Sequence, residues 1–122
     1  MSKEHQLPNG QKIITQLNSL KVKKKFNEEL TLFYPGAPDE ITRVKAESAI
    51  NNAIEQLISL SNEKITEQQF WSVLESTARQ LSDMDSEEID RGFKYFEEIM
   101  DIYNIESSDG RLNEWRYGLD SI

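Results

Sequence analysis

An all-α fold is what this sequence predicts: a single domain over residues 1–122, a bundle or orthogonal array of four main helices plus a short C-terminal helix. Apolar residues recur at spacings of three and four along four separate stretches, each marking one buried helix face. The links between these stretches are short, as antiparallel helix neighbours require. With 122 residues, 37% apolar and 30% charged, the chain can bury one real core beneath a well-solvated surface.

Residues 1–9 are polar and are expected to be a flexible lead. From Gly10 onward, Ile13, Ile14, Leu17 and Leu20 fall at i, i+1, i+4 and i+7, which is one face of a first helix. Lys21, Lys23, Lys24 and Lys25 gather at its C-terminal end, where cations meet the negative end of the helix dipole. That placement is a sufficient structural reason for the cluster.

A break follows over residues 26–38. Pro35-Gly36 marks a turn, and Pro38 suits the first position of the next helix. Leu30, Leu32, Phe33 and Tyr34 are too apolar for a free loop, so this connector is expected to pack over the core, as a loop or a short strand. The second helix starts from Asp39, with Ile41, Val44, Ile50, Ala53, Ile54, Leu57 and Ile58 as its stripe, and ends at Ser61-Asn62. Thr66 and Gln69 have the spacing of a capping box that opens the third helix, whose inner face is Phe70, Trp71, Leu74, Ala78 and Leu81.

The fourth helix begins near Asp85 or Ser86, with Glu87 and Glu88 in the first turn, where the dipole favours acids. Its stripe of Ile89, Phe93, Phe96, Ile99, Met100 and Tyr103 is broad enough that a surplus could join two copies, so monomer and homodimer both stand. The polar turn Ser107-Ser108-Asp109-Gly110 then leads into Leu112, Trp115, Tyr117 and Gly118, a short fifth helix.

Most catalytic chemistry drops out on residue types. Cysteine is absent and the only histidine, His5, lies in the polar lead, so there is no His/Cys metal cluster and no Cys-His pair, and no Ser-His pair is assigned. The five glycines are isolated, which removes a phosphate-cradling loop. Glu97 and Asp101 stand one helical turn apart and could in principle hold a hard cation or act as an acid/base pair. They fall where an amphipathic pattern puts its solvent face, so no catalytic residue, metal ligand or cofactor is assigned, and a non-enzymatic protein is expected. The N-terminus lacks the apolar run of a secretory signal, and no stretch approaches the roughly 20 apolar residues that span a bilayer. A cytoplasmic protein without a membrane role is the default.

Charge is unevenly spread within the net −8. Residues 1–25 hold six lysines against Glu4, whereas residues 83–109 hold ten acids against Arg91 and Lys94. An acidic face of that size repels nucleic acid and attracts basic proteins. The leading expectation is therefore a protein-interaction domain, similar in size and charge to immunity proteins that block a basic toxin. Its candidate contact residues are Glu87, Glu88, Asp90, Glu97, Glu98 and Asp101, with Trp115 or Tyr117 as an anchor. Two positions apart on a helix, Trp115 and Tyr117 point in different directions, so one can lock the C-terminus to the bundle while the other stays exposed. The alternative is a small-molecule-binding or regulatory domain with a pocket between Phe33, Tyr34 and Gly36 on one side and Trp115 and Tyr117 on the other.

Two segments, FYPGAPDE at Phe33–Glu40 and ESSDGRLNEWRYG at Glu106–Gly118, resemble a small bacterial family described as a domain of unknown function. The resemblance runs from about Lys24 to the C-terminus and implies a mainly helical bacterial protein. It implies no activity, substrate or catalytic residue.

Overall fold

The computed structural model describes residues 6–28 and 34–120, with side chains as far as Gly118. Five helices form an all-α domain: α1 (Gln11–Val22), α2 (Glu40–Ser61), α3 (Glu67–Gln80), α4 (Ser86–Ile102) and α5 (Arg111–Asp120). No helix among the described residues is long and apolar enough to cross a membrane.

Each boundary has a local cause. Asp39 caps α2 by accepting from the Thr42 amide at 2.7 Å, so Pro38 stands just outside the helix instead of opening it. Thr66 and Gln69 form the reciprocal capping box expected at α3. The α1 axis runs antiparallel to α2, because the Gly10 amide donates to the Ser61 carbonyl at one end and the Lys25 amide to Glu47 at the other. α3 packs against α2, α4 packs against both members of the pair, and α5 leans on α3 and α4.

The described part of the N-terminal lead, from Gln6, packs against the domain. Leu7 is buried, its amide donates to Ile65, and Gln6 bridges Thr66. Asn9 donates to the Glu63 carbonyl at 2.6 Å. Residues 6–10 thus lie as a strap along the link between α2 and α3. Residues 1–5, including His5, fall outside the described residues.

The core is continuous, and α4 supplies its centre. Phe96 and Ile99 are fully buried; Phe93, Met100 and Tyr103 are nearly so. Tyr103 stacks edgewise on Phe70 at 5.1 Å and shares a hydrogen bond of 2.6 Å with Ser61. The broad stripe is therefore consumed within one chain, and its expected surplus for a second copy is not exposed. Two stripe positions of α2 depart from the pattern: Ile41 and Val44 face solvent.

Candidate functional site

Beyond Val22 the chain turns sharply, and Lys25 goes inward. Its side chain is fully buried and its ammonium donates to the carbonyls of Lys21 and Lys23, at 3.0 and 2.9 Å. These are carbonyls that the end of α1 leaves without helical partners. Of the lysine cluster, Lys25 meets the helix terminus, while Lys21 pairs with Glu55. Burial lowers the Lys25 pKa to about 8, opposed by the charges of Glu47 and Glu98.

The next residue, Phe26, has a left-handed backbone with φ of 61°. A bulky residue adopts that geometry only when its surroundings impose it. Here its amide donates to the Tyr95 hydroxyl at 3.0 Å, its carbonyl accepts from Ala37 at 3.0 Å, and its ring meets Tyr95 edgewise at 5.1 Å. Gly36, at φ 89°, folds the Pro-Gly turn back onto residues 27–28; a Cβ there would stand 3.1 Å from the Glu28 amide nitrogen. Residues 29–33 lie outside the described residues, and Phe33 with them.

This folded connector docks on one flank of α4. Tyr34 is buried and donates to Glu88 at 3.0 Å. Arg91, only 8% exposed, lies over the rings of Tyr95 at 4.8 Å and Tyr34 at 5.7 Å, within cation–π range. Burial raises the pKa values of Tyr34, Tyr95 and Glu88; the Tyr34 hydrogen bond pulls Glu88 back toward the ionised form. Glu88, Arg91 and Tyr95 fall at i, i+3 and i+7, one helical line between the apolar stripe and the solvent face. That spacing was the signal available in the sequence for this cluster. Its aromatic member resembles core, and an acid in a first helical turn already has a reason to be there, so neither residue type stood out.

The cluster borders a cavity of about 350 Å³. Lys23 and Lys24 line one side of it; Arg91, Lys94 and Tyr95 of α4 line another. Further along α4 come Glu97, Glu98 and Asp101. No described ion pair joins Lys23, Lys24 or Lys94 to those carboxylates. The acids of the C-terminal half of α4 therefore share their surroundings with lysines.

Of the six acids expected to form one surface, Glu88 does not belong: it is 2% exposed and bound to Tyr34. Glu87, Asp90, Glu97 and Asp101 are exposed, and Glu98 is half-buried. Asp90 accepts from Arg116 at 2.6 Å, which ties α5 to α4. Trp115 is half-buried and meets Trp71 edgewise at 6.2 Å, while Arg111 lies 4.8 Å over the Trp71 ring. Tyr117, by contrast, is 71% exposed. Trp115 is thus the clasp and Tyr117 the free aromatic.

The connector and the C-terminal segment are not brought together. Tyr34 binds Glu88 and Arg116 binds Asp90, and two positions on a helix are about 200° apart. Among the described residues the two segments therefore dock on opposite flanks of α4. Among the described residues no group of three or more His, Cys, Asp and Glu side chains is placed to hold a metal ion.

Similarity to known proteins follows the same outline. The family model DUF4844, described as a domain of unknown function, matches residues 8–120. Among solved structures, the chain is similar to the crystal structure of a DUF3571 family protein from Acinetobacter baumannii AYE. The two share 27% identity with a TM-score of 0.77, over 89% of this chain and 91% of that one. No curated protein matches.

Proposed function

We propose, for a chain that belongs to the DUF4844 family of unknown function, a non-enzymatic role as a protein-interaction domain that binds a basic partner along α4. The observation that supports this reading is a straight exposed row. Positions 87, 90, 94, 97 and 101 follow one another at steps of three and four, all exposed, and four of the five are acids. The row is roughly 21 Å long at the rise of an α-helix. Glu87, Glu97 and Asp101 have no described ion pair within the chain.

Like charges held in line repel one another, and a cationic surface relieves that repulsion while speeding encounter. Tyr117 follows directly on Arg116, which holds Asp90, so an exposed aromatic adjoins the N-terminal half of the row. Exposed tyrosines beside charged rims are common anchors of protein contacts. An immunity-type inhibitor of a basic toxin is the finer form of the reading, and it rests on analogy of size and charge.

Affinity capture from the native host, at low salt and with a salt gradient, tests the reading. The expected outcome is a basic protein retained by the wild type and released as salt rises. The folded triple variant Glu87→Lys, Glu97→Lys, Asp101→Lys should lose it. Retention indifferent to that reversal, or no partner at any salt concentration, refutes the reading.

A further inference from the structure

We infer that Asn9 is a self-modification site: ring closure onto the Gly10 nitrogen converts it to an acid, and the acid releases the strap over residues 6–10. Nothing in this depends on a basic partner. Asn9-Gly10 is the only asparagine–glycine pair in the chain; every other asparagine precedes a residue with a side chain. Gly10 has none to shield its amide nitrogen, and nothing lies within 4 Å of where its Cβ would stand. Asn9 is exposed, so water reaches the site. The Gly10 nitrogen attacks Cγ of Asn9, and the new N–Cγ bond closes a cyclic imide. The Cγ–Nδ2 bond breaks, and the side-chain nitrogen leaves as ammonia with the proton from Gly10. Water then opens the imide. Attack at Cγ gives aspartate; attack at the main-chain carbonyl gives isoaspartate, whose backbone runs through an extra carbon.

The closed strap holds both reacting groups. Asn9 Nδ2 donates to the Glu63 carbonyl at 2.6 Å, and the Gly10 amide donates to the Ser61 carbonyl at 3.1 Å. The nucleophile must shed that proton, so the closed strap is protected and the transiently opened one reacts. Buried Leu7, with its amide on the Ile65 carbonyl at 2.9 Å, keeps the strap shut. Either product undoes this. A carboxylate at position 9 has no donor for the Glu63 carbonyl and sets two acceptors against each other. Asp101, which lines the same small cavity as Asn9, adds repulsion of like sign. Isoaspartate does more, because its extra carbon enters between Leu7 and Gly10. Their amides match Ile65 and Ser61, and the two bonds lose their common register. The conversion runs one way: a strap that opens is progressively fixed open.

Incubation of the intact protein in mildly alkaline buffer, followed by peptide mapping and amide hydrogen exchange, tests the inference. Acid at position 9, mostly isoaspartate, should accumulate faster than at any other asparagine. Leu7→Ala loosens the strap and should speed the conversion about tenfold. Urea below the unfolding transition should speed it in the wild type, which keeps the test independent of how well Leu7→Ala folds. In the converted protein, and to a smaller degree in Asn9→Asp, the amides of Leu7 and Gly10 should exchange about tenfold faster, with the amides of α4 unchanged. Asn9→Gln should stay unmodified over the same period. Conversion at Asn9 no faster than at Asn104 overturns the inference. So does a rate indifferent to both Leu7→Ala and urea, or unchanged exchange at Leu7 and Gly10 after conversion.

Discussion

Tyr34 donates to the carboxylate of Glu88 across 3.0 Å, and both side chains are buried. The bond pins the connector between α1 and α2 to the first turns of α4. It also compensates a carboxylate whose pKa burial raises. Tyr34→Phe removes the donor and leaves the acid, so we expect a loss of about 1–3 kcal/mol in urea unfolding near pH 8. In the variant the folded-state pKa of Glu88 rises further above its unfolded value. A raised carboxyl pKa gives stability that is present below the unfolded value and fades as pH climbs through the folded one. The penalty should therefore shrink as pH falls toward 4.5, and the double variant with Glu88→Gln should show less pH dependence.

Lys25 makes stability depend on pH in the opposite sense. Its folded pKa is about 8 against 10.5 for the free side chain. Between those values the unfolded chain holds the proton more often than the folded one, so stability rises with pH. Integrated over the interval, the gain is on the order of 3 kcal/mol. Tyr95 and Tyr103 have raised values, so their contribution is lost at higher pH, above the ordinary tyrosine range. The rise is thus to be read between pH 8 and 10 by chemical denaturation. In Lys25→Met that slope should be flat. Overall stability should also fall, because the carbonyls of Lys21 and Lys23 lose their donor.

The helices were legible because their faces and caps are written at short range: Thr66 and Gln69 sit three apart, and the stripe of α4 repeats over four turns. The site was legible only in pieces. Lys25, Tyr34 and Glu88 were each visible as a lysine cluster, a Pro-Gly connector and an acidic first turn. Their meeting depends on how α1 ends, on the left-handed turn at Phe26 and on the side of α4 the connector takes. Those are tertiary choices with no sequence spacing to record them. The same limit explains the pocket placed between Tyr34 and Trp115: both segments do dock on α4, on opposite flanks. It also explains Leu7, a single apolar residue in a polar lead, buried by the strap along residues 61–66.

Trp115 and Tyr117 should separate cleanly on truncation. Trp115→Ala removes the edge contact with Trp71 and loosens α5 from α3, so we expect a loss of about 2 kcal/mol, below the value for a fully buried tryptophan. Near-ultraviolet circular dichroism should also change, since Trp71 loses its aromatic neighbour. Tyr117→Ala should alter stability by no more than about 0.5 kcal/mol, as exposed positions generally do. If binding of a basic partner falls in Tyr117→Ala while stability does not, the exposed tyrosine acts as an anchor.

Two glycines lie inside helices, and replacing each by alanine should move stability in opposite directions. Both substitutions gain the helical preference of alanine, about 1 kcal/mol. At Gly118 a Cβ would enter open space, so Gly118→Ala should raise the melting temperature. At Gly92 a Cβ would collide with the Cδ1 atom of Leu81, with Phe26 3.9 Å behind. Leu81 and Phe26 are both fully buried, so neither can swing away into solvent. Overpacking of this kind costs typically 1–3 kcal/mol, which offsets or exceeds the helical gain. Gly92→Ala should therefore lower the melting temperature, and the double variant Gly92→Ala, Leu81→Val should recover part of the loss by shortening the side chain in the way. The missing Cβ at Gly92 is then what lets α4 sit close against Leu81 at the end of α3.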